Sequence, residues 1–172
     1  RSLVNLLSIK RGDCVLDVGT GTGLLLPYLL ASGPAKVIAC DLSREMLRIA
    51  AGKHGASGVV EFLHADAGNL PLPDGAVDVI VCNGVYPHFN DRRATLMELH
   101  RVAAPGARLA ISHFGGRDFV NRVHASSDNE AVRGDLLETS GEVACLMEAC
   151  GFATTQVIDT PELFLVAGVK RG

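Results

Sequence analysis

No run of Lys or Arg longer than two occurs in the 172 residues, and the formal net charge is -3. A phosphate backbone is held by a field of positive charge, so this shortage argues against nucleic acid as substrate or partner. Long hydrophobic runs are missing as well: stretches such as Leu24 to Leu30 and Val77 to Cys82 fall far short of the roughly 20 residues that span a bilayer. No membrane span is expected, and Arg1 opens no signal-like segment, which together predict a cytoplasmic protein. The five cysteines, Cys14, Cys40, Cys82, Cys145 and Cys150, include no C-x-x-C pair, and their odd number speaks against a disulfide framework. Four of them lie in apolar runs and read as small buried hydrophobes, with no metal assigned to them. With 48% hydrophobic and 20% charged residues, the chain also lacks the polar excess that keeps a segment disordered, and no internal repeat is present. One domain over residues 1–172 is expected.

What is present is an alternation of short apolar runs with helical patterns, the signature of parallel β-α-β units. The runs Cys14–Val18, Lys36–Cys40, Val59–His64, Val77–Cys82 and Arg108–His113 read as parallel strands, and helices are predicted near Leu24–Ala31, Arg44–Ala51 and Asp91–Ala103. The link from Asp66 to Ala76 is rich in Pro and Gly and reads as loop. Residues 115–134 are polar and interrupted, with Phe119 and Val123 marking an amphipathic turn or two, and are placed to form a lid. A helix follows in which Ser140 caps the start, Val143, Leu146, Met147 and Cys150 form one stripe, and Gly151 closes the end. The last two strands, Thr154–Ile158 and Leu163–Val169, are joined by a connection too short for a parallel crossover, so the final strand must run antiparallel. The expected architecture is an α/β, doubly wound, mostly parallel seven-stranded sheet.

The sharpest local feature is Asp17-Val18-Gly19-Thr20-Gly21-Thr22-Gly23, at the end of the first strand. Alternate glycines let the backbone turn tightly and approach a ligand, and the following helix offers free N–H groups. A nicotinamide loop of the form G-x-G-x-x-G would need its third glycine where Leu24 stands, and a Walker loop needs Lys-Ser or Lys-Thr where Leu24-Leu25 stand. The pattern D-x-G-x-G-x-G resembles motif I of the class I S-adenosylmethionine-dependent methyltransferases, in which the glycines lie under the amino acid part of a cofactor without phosphate. That resemblance implies a Rossmann-like methyltransferase fold, methyl transfer from S-adenosylmethionine, and cofactor contacts from Asp17, Gly19, Thr20, Gly21 and Gly23. It extends to the next strand ends. Asp41, followed by Leu42, matches the acidic residue that takes the ribose hydroxyls; Asp66 and Ala67 match the residues beside adenine; Asn83-Gly84 matches the position near the methionine part. Each Asp and Asn also suits an ordinary turn or helix cap. The stretches Leu70–Asp78 and Leu99–Gly106 look like the small-molecule branch, similar to quinone-ring methylases, although Ala107 stands where that branch commonly has a second glycine.

A sulfonium methyl is already electrophilic, so such a site must chiefly align the acceptor, with a base needed only where a hydroxyl, thiol or acidic carbon must lose a proton. His88, His113 and His124 are the candidate bases; the alternatives are partly buried histidines satisfied by backbone, or a zinc or other metal site, which the lack of close i, i+4 spacing does not favour. The target atom, whether O, N, S or C, stays open. Tyr86 and an apolar wall of Phe89, Phe114 and Phe119 are further candidates for the acceptor side. Asn83-Gly84-Val85-Tyr86 differs from the Asn-Pro-Pro-Tyr of the nucleic-acid and glutamine methylases, which favours a small organic acceptor. Few residues precede the first strand, so the acceptor pocket is expected to be open or shared in an oligomer. Two other functions share these motifs: a non-catalytic S-adenosylmethionine-binding module, and a nicotinamide oxidoreductase using Asp41 on the ribose.

Overall fold

The computed structural model describes residues 2–128 and 130–172; Arg1, at the expected start, and Asn129, within the expected lid, lie outside the described residues. In chain order the elements are α1 (Ser2–Leu6), β1 (Cys14–Val18), α2 (Leu26–Ala31), β2 (Lys36–Asp41), α3 (Arg44–His54), β3 (Val60–His64), β4 (Val77–Asn83), α4 (Arg92–Val102), β5 (Ala103–Phe114), α5 (Arg117–Ala125), α6 (Glu130–Arg133), α7 (Ser140–Ala149), β6 (Phe152–Asp159) and β7 (Leu163–Lys170). Single 3-10 turns lie at Gly55–Ser57 and Tyr86–His88. The strands form a 7-stranded sheet in the order β3-β2-β1-β4-β5-β7-β6. Pairing is parallel from β3 through β5, and β7 is antiparallel to both β5 and β6. The doubly wound sheet and the reversed last strand are as the sequence pattern predicts.

Strand β1 shows why the sheet is central. Val15, Leu16 and Val18 are all buried, yet they alternate in direction: Leu16 and Val18 join the core beneath α4 and α7, whereas Val15 joins the core beneath α1 and α2. A strand covered on both faces reads as a largely apolar run, which is the pattern at Cys14–Val18 and Val77–Cys82, each interrupted by a single Asp, Asp17 and Asp78. The β3-to-β4 link is loop, as expected, and is pinned by two residues of α4. Arg101 donates to the carbonyls of Leu70 and Leu72 and to the carboxylates of Asp74 and Glu98, while Glu98 accepts from the Leu70 N–H. The two sequence stretches that carry the small-molecule resemblance are thus one interlocked unit.

Several details differ from expectation. The β5 pairing begins at Ala103 opposite Val77, then skips to Arg108 opposite Val79, so Ala104–Ala107 form a bulge in which Gly106 takes φ +76. Helix α7 is capped by Thr139 rather than Ser140: the Thr139 hydroxyl accepts from the Glu142 N–H, and Glu142 reaches back to the Thr139 N–H, a capping box. In α5 the buried side chain is Val120, whereas Phe119 and Val123 are about half exposed. Among the described residues no helix is long and apolar enough to cross a membrane. Cys40, Cys82 and Cys150 are buried, Cys14 is half-buried and Cys145 is exposed; all five are free.

Candidate functional site

The order of the sheet reverses between β1 and β4, and a cleft of about 460 Å³ opens there, at the carboxyl ends of the strands. That volume suits a nucleoside-sized ligand. Its floor is Val18, Gly19 and Gly21; one wall is Asp41, Leu42 and Met46 from the β2-to-α3 turn with Asp66 and Ala67 after β3; the other is Gly84, Val85, His88 and Phe89 after β4. Two carboxylates line the cleft, and no Lys or Arg is among its described lining residues.

The floor is shaped by main chain. Gly19 has φ +66, and a Cβ there would meet the Val85 side chain at 2.5 Å, so the loop closes against the β4 end only because that atom is missing. The N–H of Gly21 donates to Asp41 Oδ2 at 2.8 Å, and the N–H of Ser43 donates to Asp41 Oδ1 at 2.8 Å. These two bonds aim the carboxylate across the cleft mouth. The helix cap itself is Ser43, whose hydroxyl accepts from the Met46 N–H, so Asp41 is not the cap. Asp66 does make the ordinary turn, accepting from the Gly68 N–H at 2.8 Å, while lining the cleft.

Other residues expected at the cofactor lie outside the cleft lining. Asp17 and Thr20 are buried and bonded to each other, the Thr20 hydroxyl donating to Asp17 Oδ2 at 2.7 Å. Burial raises the Asp17 carboxyl, against the Thr20 bond and with help from the charge of Asp41, to about 7. Gly23 does not line the cleft; a Cβ on it would meet His54 at 2.9 Å and Ala50 at 3.3 Å, so it seats the start of α2 on α3. Of the expected Asn83-Gly84 pair, Gly84 lines the cleft, while Asn83 Oδ1 accepts from the Ser112 hydroxyl at 3.0 Å. Met46, Val85 and Asn90 line the cleft without having been singled out in the sequence, and their signal was only adjacency to the matched motifs.

The three candidate bases converge. His88 lines the cleft and its ring centroid lies 5.0 Å from that of His124. His113, at the end of β5, is buried, and its Nε2 has no hydrogen-bond partner. Burial, followed by the neighbouring His124 and His88, lowers the His113 imidazole to about 4, so it stays neutral and is a poor base near pH 7. Tyr86 is a packing residue, fully buried, with Phe89 edge-on at 5.8 Å and the Arg92 guanidinium 5.5 Å over its ring. Of the expected apolar wall only Phe89 lines the cleft; Phe114 and Phe119 are more than half exposed, and Phe119 instead covers Gly115.

Residues 16–111 match the family model described as "Methyltransferase domain". The chain belongs to that family. Among curated relatives, the demethylmenaquinone methyltransferase of Thermus thermophilus is 42% identical over 116 residues, which is 66% of this chain and 53% of the relative. The ubiquinone/menaquinone biosynthesis C-methyltransferase of a Marinomonas species is 32% identical over 119 residues, 66% of this chain and 47% of the relative. The chain spans about half the length of the curated relatives it matches. Among solved structures, a SAM-dependent methyltransferase from Aquifex aeolicus superposes with a TM-score of 0.79 at 30% identity, covering 98% of this chain and 88% of that one. The match with the family model stops at residue 111, short of the segment that includes α5 and α6, whereas that structural match covers nearly the whole chain.

Proposed function

We propose that this methyltransferase-family chain transfers a methyl group from S-adenosylmethionine to a small organic acceptor. The observation that carries this reading is the charge of the cleft: two carboxylates and no Lys or Arg among its described lining residues, over a glycine floor. Such a site suits a cationic sulfonium nucleoside and disfavours a pyrophosphate, which sequence motifs alone do not decide. The residues present fit the cofactor. Asp41 would take the ribose hydroxyls, since its two oxygens already hold backbone donors in a fixed orientation and retain lone pairs. Asp66 and Ala67 would border the adenine edge, and the exposed Leu42 and Met46 would cover its faces. Gly19 and Gly21 would lie against the methionine part, with Asp17 and Thr20 stiffening the loop from below.

S-adenosylmethionine supplies an electrophilic methyl; the chain's own work is alignment and exclusion of water. Val85, His88 and Phe89 border the acceptor side, and residues 115–134 would serve as the lid over it. The relatives' printed roles make a quinol ring the first acceptor to try. Calorimetric titration tests the reading: saturable S-adenosylmethionine binding that is lost in Asp41→Ala, with no binding of a nicotinamide dinucleotide, is expected. The reverse preference would overturn it.

A further inference from the structure

The segment joining α6 to α7 brings a carboxylate to the acceptor side of the cleft. Asp135 Oδ2 lies 2.7 Å from His88 Nδ1. A carboxylate only accepts, so the proton of a neutral His88 sits on Nδ1 and the Nε2 lone pair is left free. His124 repeats the arrangement, its Nδ1 bonding the backbone carbonyl of the same Asp135. One residue therefore orients two imidazoles, one through its side chain and one through its carbonyl. The segment is itself held at three points. Leu137 is buried and exchanges two hydrogen bonds with the Asn121 side chain, at 2.8 Å and 3.0 Å. Arg92 donates to the Leu136 carbonyl at 2.8 Å and pairs with Glu138 at 2.7 Å. Of the two oriented imidazoles, His88 is the one that lines the cleft beside Gly84 and Phe89.

We propose that His88, oriented by Asp135, takes a proton from the methyl acceptor, and that the acceptor is accordingly a phenol- or enol-type hydroxyl compound and not a neutral amine. This rests on the methyl-transfer reading of the cleft. The hydroxyl proton passes to His88 Nε2; an oxygen lone pair forms the new O–CH₃ bond as the S–CH₃ bond breaks, its electron pair remaining on sulfur. The positive charge of the sulfonium ends on the imidazolium beside Asp135, which then releases the proton to solvent. Where a conjugated ring carbon takes the methyl, the same proton transfer supplies the electron pair, and the ring C–H proton is returned to the oxygen on rearomatisation. Asp135 is a positioning residue: it fixes the tautomer and faces the charge that develops on His88. The other titratable and charged groups near His88 include His124 on α5, His113 on β5, and Arg92 on α4, which bonds the Pro87 carbonyl and is paired with Glu138.

The test uses the whole chain saturated with S-adenosylhomocysteine, with ¹⁵N ring spectra of the histidines and 4-nitrocatechol as an acceptor probe whose colour reports its ionisation. Expected are an Nδ1-protonated His88, a shift of that proton towards Nε2 in Asp135→Ala and Asp135→Asn, and a bound probe ionised at a pH where the free probe is neutral. In His88→Gln the bound probe stays neutral. A proton on Nε2 in the unmodified chain, a tautomer indifferent to Asp135, a bound probe neutral throughout or ionised equally in His88→Gln, or no probe binding would each overturn the proposal. Failure of S-adenosylhomocysteine to bind sinks the parent reading instead, and the ring spectra of the unliganded chain still decide whether Asp135 orients His88.

Discussion

Beside β1 to β3 the cleft is shaped by main chain, through a glycine that has no Cβ to offer and N–H groups that aim Asp41, whereas beside β4, α5 and the α6-to-α7 segment it is shaped by side chains reaching from distant positions. The first kind of wall rests on short motifs at the ends of adjacent strands: Gly19 and Gly21 after β1 and Asp41 closing β2, which the parallel sheet brings together although Gly21 and Asp41 are 20 positions apart. The second kind carries no motif. His88 and Asp135 are 47 positions apart, and no local pattern marks that pair or the Asn121–Leu137 exchange that supports it. The cofactor side should therefore tolerate almost no change in backbone conformation, while the acceptor side should depend on a few polar anchors.

The strongest test of the main-chain wall is Gly19→Ala. A residue with a side chain is strained at φ +66, and the added Cβ overlaps Val85. Strain and overpacking together should cost about 4 kcal/mol of stability, with S-adenosylmethionine binding abolished. Denaturant titration and calorimetry measure both. A variant that keeps its stability would show that the loop yields, and the contrast between the walls would then collapse.

A second test compares one buried titrating group from each wall. Asp17 has its pKa raised by burial from 3.8 to about 7, so the stability it contributes is full below pH 4 and lost as pH rises through 7. His113 has its pKa lowered by burial from 6.5 to about 4, so its contribution is full above pH 6.5 and lost as pH falls through 4. Between about pH 4 and 6.5 the two oppose, each on the order of 3 kcal/mol, and stability should be nearly flat there on their account. Asp17→Asn should then gain stability with rising pH across this window relative to the unmodified chain, and His113→Phe should lose it. Thermal melts at a series of pH values read the slopes; equal slopes in both variants would refute the assignment.

A third, smaller effect separates the two roles of Asp41. In Asp41→Asn the oxygen and the amide nitrogen cannot both accept, so one of the Gly21 and Ser43 donors loses its partner. S-adenosylmethionine affinity should fall by about 2 kcal/mol, roughly thirtyfold, by calorimetry. An unchanged affinity would mean that the carboxylate only braces the loop.

How much of this was legible beforehand follows the same division. The sheet and its reversed strand are legible from short apolar runs and one short connection, and the glycine floor from a seven-residue pattern, because both are local signals. Which of Asn83 and Gly84 lines the cleft is not legible, because Ser112 on β5 holds the Asn83 side chain, and the Thr139 cap signals only as a pair with Glu142. Asp135 was invisible because nothing near it in sequence tells that His88 and His124 lie beside it. The three histidines were found by type, and only packing separated the cleft-lining one from the buried one.

The smallest expected effect concerns α5, where periodicity misled. Phe119 and Val123 are the large apolar residues that four-residue spacing puts on one face, and that face is about half exposed because the helix packs through Val120 and holds the α6-to-α7 segment through Asn121. Val120→Ala removes two buried methyl groups and should cost about 1.5 kcal/mol, whereas Val123→Ala on the exposed side should stay within about 0.5 kcal/mol. Denaturant midpoints of the two variants measure the difference. If Val123→Ala proved the costlier of the pair, α5 would be rotated from its present face, Asn121 would no longer reach Leu137, and the side-chain wall would lose the anchor that carries Asp135 to His88.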